Sequence, residues 1–177
     1  STGFVDLTQI RTRRLQPVGE MIAPTEDCPW RKKILCGEVH DDNAYAMGGV
    51  AGHAGLFSSA RDVHALIARL SQCLLGKDDF VPQTLLREFL SRDDACEDGN
   101  FALGWDTPSA ANSASGRLFS SRSVGHLGFT GCSIWWDLEK NCHVVLLTNR
   151  VHPSRKNEKI KEFRPQVHDL VMKALFP

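Results

Sequence analysis

Ser123-Val124-Gly125-His126-Leu127-Gly128-Phe129-Thr130-Gly131-Cys132-Ser133-Ile134-Trp135-Trp136, continued by Asp137-Leu138-Glu139-Lys140-Asn141 and Cys142-His143-Val144-Val145-Leu146-Leu147-Thr148, decides the fold. Three short runs rich in β-branched and aromatic residues, Ser123 to Leu127, Cys132 to Trp136 and Cys142 to Thr148, are separated by glycines and by a polar turn. Such runs predict strands, and connections this short make neighbouring strands antiparallel. The third run holds Val144-Val145-Leu146-Leu147, apolar at every position, which suits a central strand covered on both faces. Trp135-Trp136 reads as one core and one outward aromatic, because successive side chains on a strand point to opposite faces.

What lies outside the meander supplies its covers. On the C-terminal side, Ile160, Phe163, Val167, Leu170, Val171 and Ala174 recur at helical spacing, predicting a helix over 157–175. Pro165 lies inside it, and the missing N–H and the clash of the ring with the preceding turn predict a kink near Arg164 or a restart at Pro165. On the N-terminal side, Ser59-Ala60-Arg61-Asp62 has the form of a capping box, in which the Ser59 hydroxyl and Asp62 carboxylate satisfy open N–H groups. Val63, Leu66, Ile67, Leu70 and Leu74 follow at helical spacing, and Gly76 suits a left-handed C-cap, so a helix is expected over 59–75. A second helix is expected from Pro82 to Leu90, followed by an acidic, glycine-containing loop. Ser109 to Ser115, only Ser, Ala and Asn, has the composition of a mobile surface connection.

Residues 1–57 have no sustained period and read mostly as loop, with Pro17, Pro24 and Pro29 and a glycine cluster at Gly48, Gly49, Gly52 and Gly55. The chain is thus an α/β chain of the α+β type, read as a single domain over 1–177: loop to 57, helices over 59–91, strands over 101–149 and the terminal helix. Three strands make a thin sheet for a strand that looks central, so part of the sheet is expected to be missing.

Composition narrows the function. The 177 residues are 42% hydrophobic, enough to bury a core, and Lys plus Arg equals Asp plus Glu at 21 each. That balance gives no basic surplus for nucleic acid or anionic membrane. No apolar run approaches the ~20 residues of a membrane span, and the start does not have the form of a signal peptide. Six cysteines lack a tight repeating spacing and read as buried thiols more readily than as a disulfide framework. The glycine cluster lacks the G-K-[ST] ending of a phosphate loop, so no nucleotide site is expected. Cys28, Cys36, His40, Asp41 and Asp42 are chemically able to bind zinc, but their spacing is poor for it, and no metal or other cofactor is expected.

Three stretches, in order, resemble the serine β-lactamase and penicillin-binding-protein family, in its class C-related branch. Gly55-Leu56-Phe57-Ser58-Ser59-Ala60-Arg61-Asp62 is similar to the segment that opens a helix beside the family's substrate cleft. Gly125-His126-Leu127-Gly128-Phe129-Thr130-Gly131 resembles the family's third active-site motif, in which Lys or His precedes Thr-Gly on a strand edging the site. Val144 to Arg150 with Val151-His152-Pro153 is similar to the last strand and its turn into the terminal helix. The resemblance spans about Gly48 to Phe176 and implies the C-terminal part of a β-lactamase/transpeptidase-like fold.

The resemblance also implies roles. Acyl transfer develops an oxyanion best held by preorganised N–H donors, and the N–H of Phe129 would be one, with Gly128 letting substrate approach closely. His126 stands where the family has Lys or His; it can be neutral or charged near neutral pH, whereas Lys is a fixed cation. Leu127 replaces a Thr or Ser whose hydroxyl meets a substrate carboxylate, which leans towards a plain ester or a peptide over a carboxylated β-lactam. His53, Thr130, Asn149 and Ser154 would line the pocket rim and bind substrate. Neither the family's Ser-x-x-Lys nor its Tyr-x-Asn occurs: no serine is followed at +3 by lysine, and Tyr45 is followed at +2 by Met47. The expectation is a fragment beginning after those motifs, inactive alone, with a small-molecule or peptide substrate and the missing N-terminal part as partners. Its relatives often work in the periplasm or outside the cell. The alternative is a binding module that keeps the cleft's shape without its chemistry. An exposed sheet face would be covered by a homo-oligomer or strand exchange.

Overall fold

The computed structural model describes residues 2–12, 21–92 and 101–177. Pro17, Cys96 and most of the acidic loop expected after the second helix lie outside them. The chain forms two compact units, Ser1–Asp62 with Thr148–Glu158 and Val63–Leu147 with Lys159–Pro177.

The first unit is mostly loop, as its lack of periodicity implies, pinned by short elements: β1 (Gly3–Phe4), α1 (Leu7–Arg11), β2 (Asp27–Cys28), β3 (Lys33–Ile34), α2 (Asp42–Ala46) and β4 (Leu56–Phe57). Strands β1 and β4 pair antiparallel, as do β2 and β3. The glycine cluster serves backbone approach. Gly49 and Gly55 both have left-handed φ, and a Cβ on Gly49 would lie 2.5 Å from the Val5 carbonyl oxygen, one on Gly55 2.6 Å from that of Gly49. Only glycine fits a position where two main chains come so close. Val39, Ala44 and Ala51 form the small core there, with Tyr45 and Ala54 against it.

The second unit holds the sheet. Its helices α3 (Ala60–Leu74, begun in the first unit) and α4 (Gln83–Phe89) precede β5 (Phe101–Ala102), β6 (Trp105–Asp106), β7 (Val124–Leu127), β8 (Ser133–Asp137) and β9 (Cys142–Leu146), and α5 (Ile160–Leu175) closes the chain. The five strands lie in sequence order, each antiparallel to the next, so the expected meander of β7, β8 and β9 is extended on one side by two short strands. Both ends of α3 are capped as its sequence implies. Ser59 Oγ accepts from Asp62 N at 3.2 Å, and at the far end Gly76 N donates to Cys73 O and Lys77 N to Gln72 O, the paired bonds of a Schellman motif with Gly76 at φ +70. The Asp62 carboxylate, expected to complete the box, accepts from Thr2 Oγ1 at 3.1 Å.

Strand alternation then divides the core in two. Val124, Ile134 and Trp136 face α3 and α4, packing with Ile67, Leu70, Cys73, Leu86 and Leu90. Trp135, Leu127, Cys142 and Val144 face the other way, towards Phe119 and Met172 of α5. Trp135 and Trp136 are therefore both 1% exposed. The expectation of one outward tryptophan fails because helices cover both faces of β8.

Three other expectations are corrected or narrowed. Strand β9 ends the sheet order among the described residues, so the apolar run Val144–Leu147 is not central there; Val144, Val145 and Leu146 are half-buried, Leu147 is exposed, and only β8 pairs with the strand. Helix α5 runs through Pro165 as one helix, so of the two alternatives, a kink or a restart, the restart is excluded. The Ser109–Ser115 segment is anchored at its end: Ser115 is wholly buried, its Oγ 2.7 Å from that of Ser113, and the Ala114 carbonyl accepts from His168 Nδ1 at 2.9 Å.

Candidate active site

Strand β7 and the turn after it carry five of the residues singled out from sequence. Val124 to Leu127 pair residue by residue with Trp136 to Ser133 on β8. On the opposite edge β6 reaches only Gly125, opposite Asp106, so His126 and Leu127 extend beyond the last residue of β7 that β6 pairs. His126 is exposed, on the α3 and α4 side of the strand. Leu127 points the other way and packs against the Phe119, Trp135 and Met172 cluster, a placement that a hydroxyl residue would not favour.

The turn is built from hydrogen bonds. Gly128 N donates to Cys132 O at 2.7 Å and Gly131 N to Gly128 O at 2.9 Å, with Gly131 at φ +104. Phe129 is exposed at its tip and Thr130 Oγ1 lies 3.6 Å from Cys132 Sγ. From α5, Arg164, 7% exposed, donates through Nη2 to Cys132 O at 3.1 Å and Gly128 O at 3.5 Å. Sequence reading missed Arg164, which stands 36 residues from the glycine it supports, on a helix read only for its apolar stripe. Asp106, half-buried opposite Gly125, has its carboxyl pushed up by burial, against the pull of His126 and Arg164.

Gly125 is fixed by packing. A Cβ there would meet the Trp135 ring at 2.4 Å and the Ile134 carbonyl at 2.7 Å. Gly128 has more room, its nearest neighbour being Cys132 Cβ at 3.3 Å.

His53, Asn149 and Ser154 belong to the first unit, at three separate places. His53 Nε2 donates to Asp41 Oδ1 at 3.1 Å, and the same oxygen accepts from Ala44 N at 2.7 Å as the N-cap of α2. Those bonds hold the Asp41 carboxyl below its ordinary range, the Ala44 N–H foremost. Asn149 Nδ2 donates to the Pro24 carbonyl, and exposed Ser154 accepts from Lys156 N at 3.3 Å.

The same unit contains a polar network that no local motif announces. Glu26, 4% exposed, accepts from Arg155 Nε at 2.8 Å and from His40 Nε2 at 3.2 Å. The Arg155 guanidinium holds the Glu26 carboxyl down at about 2, against the effect of burial. Arg31, its side chain nearly all buried, donates to the carbonyls of Val39 and His40 at 2.7 and 3.2 Å and to Asp42 at 3.0 Å, and lies 3.9 Å over the Tyr45 ring. Of the five candidate zinc ligands, His40 meets Glu26, Asp41 caps α2, Asp42 meets Arg31, Cys28 lies in the core, and exposed Cys36 donates through Sγ to the Ile22 carbonyl at 3.2 Å. No group of three metal-ligating side chains converges among the described residues. No described helix is long and apolar enough to cross a membrane.

With the strand, its glycine turn and the covering helices defined, the chain compares directly with known proteins. The family model described as Beta-lactamase matches residues 15–168. This chain belongs to that beta-lactamase family. A putative D-alanyl-D-alanine carboxypeptidase of Salmonella agona (strain SL483) is 36% identical over 134 residues, covering 73% of this chain and 31% of that protein. The protein of the same description from Salmonella paratyphi B (strain ATCC BAA-1250 / SPB7) gives the same identity and coverage. The chain therefore spans about a third of the length of these curated relatives. A beta-lactamase of Mycobacterium bovis superimposes with a TM-score of 0.55 at 20% identity, over 68% of this chain and 46% of that one. It shares the fold: mixed helices and antiparallel sheet with a C-terminal helix.

Proposed function

We propose that this chain forms one wall of the acyl-transfer site of a serine hydrolase acting on ester, amide or β-lactam carbonyls. The observation that carries the reading is β7, whose edge beyond Gly125 extends past its pairing with β6 and runs into a glycine turn fastened from α5 by Arg164. An extended acyl substrate can lie along such an edge as an added strand. In this reading His126 tunes the charge of the site and assists proton movement, Gly128 allows close approach, and the Phe129 N–H is one oxyanion donor. Thr130 meets substrate beside the turn, and Leu127 supports the strand from the Phe119, Trp135 and Met172 cluster behind it.

The nucleophile comes from outside this sequence, which holds neither Ser-x-x-Lys nor Tyr-x-Asn. A serine attacks the carbonyl, the C–O or C–N bond breaks with its oxygen or nitrogen taking up the serine's proton as the acyl-enzyme forms, and water then hydrolyses the acyl-enzyme to free the serine and a carboxylic acid. The relatives' description as putative D-alanyl-D-alanine carboxypeptidases supports a peptide ending in D-alanine as the substrate class. A further, N-terminal part of the protein is the partner that supplies the serine, and β9 offers it an edge with no proline or fixed charge to discourage strand addition.

The test is acylation read by intact mass, with a chromogenic β-lactam, a chromogenic short-chain ester and a D-alanyl-D-alanine peptide. This chain alone is expected to give no adduct; co-expressed with the N-terminal part of a relative, it gives an adduct and turnover that His126→Ala lowers by about 10²-fold. A stoichiometric adduct on this chain alone would sink the assignment of an outside nucleophile. Ligand binding without turnover, even with that part present, would favour a binding module.

A further inference from the structure

Outside the β7 edge, two histidines from different elements meet. His64, on α3, places Nδ1 2.7 Å from Nε2 of His143 on β9, with the rings stacked at 4.8 Å between centroids and 28° between planes. The meeting is braced two helical turns away: Ser71, seven residues after His64 and on the same face, donates through Oγ to Asn141 Oδ1 at 3.0 Å, two residues before His143. The approach of helix to strand is thus fixed at two points.

We infer that His64 and His143 form a two-imidazole clamp for a late first-row divalent cation of the Ni²⁺, Cu²⁺ and Zn²⁺ group. Imidazole nitrogen is a preferred donor for these ions. At metal–nitrogen bonds of about 2.0–2.1 Å, two tetrahedral ligands stand roughly 3.3 Å apart, so the rings need part by only about 0.6 Å from their present spacing. Small χ rotations of two side chains, one exposed, supply that. Metal binding requires both facing nitrogens unprotonated. As the ion enters, the proton that bridges the facing nitrogens shifts to the outer nitrogen of its own ring, any second proton on the pair passes to solvent, and water completes the coordination. Cys142, adjacent in sequence, points to the opposite face, towards Met172, so the donor set is nitrogen from protein and oxygen from solvent.

The test uses the full chain, freed of metal by chelator and dialysed, titrated with Ni²⁺ by calorimetry at neutral pH and melted with and without the ion. Wild type is expected to bind one Ni²⁺ per chain and to gain about 5 °C in Tm at saturating ion. His64→Gln, at an exposed helical position where glutamine is a good helix former, should fold normally by circular dichroism. It should lose at least about tenfold in affinity, as should His143→Gln, and both should lose the Tm gain. Binding and stabilisation undiminished in His64→Gln, or no saturable binding by wild type up to millimolar Ni²⁺, would overturn the clamp.

Discussion

Gly125 and Glu26 show how single residues constrain this chain. Adding one methyl at Gly125 drives it into the Trp135 ring and the Ile134 carbonyl, both held by the sheet. Gly125→Ala should destabilise by about 1–3 kcal/mol, read as a lower denaturation midpoint with unchanged m-value. Gly128→Ala, with its nearest contact at 3.3 Å, should cost clearly less. Glu26 is buried and ionised because Arg155 lies on it, and Arg155→Met would leave the carboxylate with His40 as its remaining side-chain partner. Since Arg155 keeps 38% of its side chain exposed, the expected loss is about 2 kcal/mol, less than for a wholly buried pair.

At the scale of elements, the sequence predicted what depends on neighbours in the chain. The Ser59 cap, the apolar stripe of α3, its Gly76 end and the order of β7, β8 and β9 all rest on groups within a few residues of one another. Ser59→Ala should cost about 1 kcal/mol, seen as a lower Tm with little change in helix content below the transition. The short strands β5 and β6 fall inside the 101–149 range expected to hold strands, but two residues carry no period from which their bounds could be read. The edge position of β9 could not be read from its composition, since continuous apolarity reports covering of faces, not pairing of edges. The His126–Gly131 run of the candidate site is a local motif, visible directly, whereas its support from Arg164 acts across 32 residues and leaves no local trace. The same holds in the first unit for the Glu26–Arg155 pair, which joins residues 129 apart. Asp137 is intermediate: one buried carboxylate takes the N–H groups of Ser120, Glu139 and Lys140 at 2.9 to 3.0 Å, and so sets the turn between β8 and β9.

At the scale of the whole molecule, charge burial sets the response to pH. His40, His143 and His168 all have imidazoles pushed down, in each case mainly by burial. His168 is the clearest: Nδ1 donates to the Ala114 carbonyl, so Nε2 is left to accept from Ser133 Oγ at 3.2 Å, and the ring is neutral. A lowered native value means that the unfolded chain binds more protons, so stability is complete above the unfolded value of about 6.5 and falls as pH drops below it. Glu26 has the same sign lower down, its contribution fading between 4.5 and about 2. Chemical denaturation at pH 8, 6 and 5 should show a declining midpoint, and His168→Gln, which cannot take up the proton, should flatten part of the decline.

Trp135 and Trp136, consecutive yet buried on opposite faces of β8, make the strand a two-channel optical gauge. One indole sits in the α5 layer with Phe119 and Met172, the other in the α3 and α4 layer with Ile67 and Leu70. Replacing either with phenylalanine leaves its neighbour to report emission from one layer, against a background from Trp30 and Trp105 common to both variants. Coincident traces on heating would mean that both sides of the sheet dissolve in one step, and separated traces would rank the two layers by the temperature at which water reaches them.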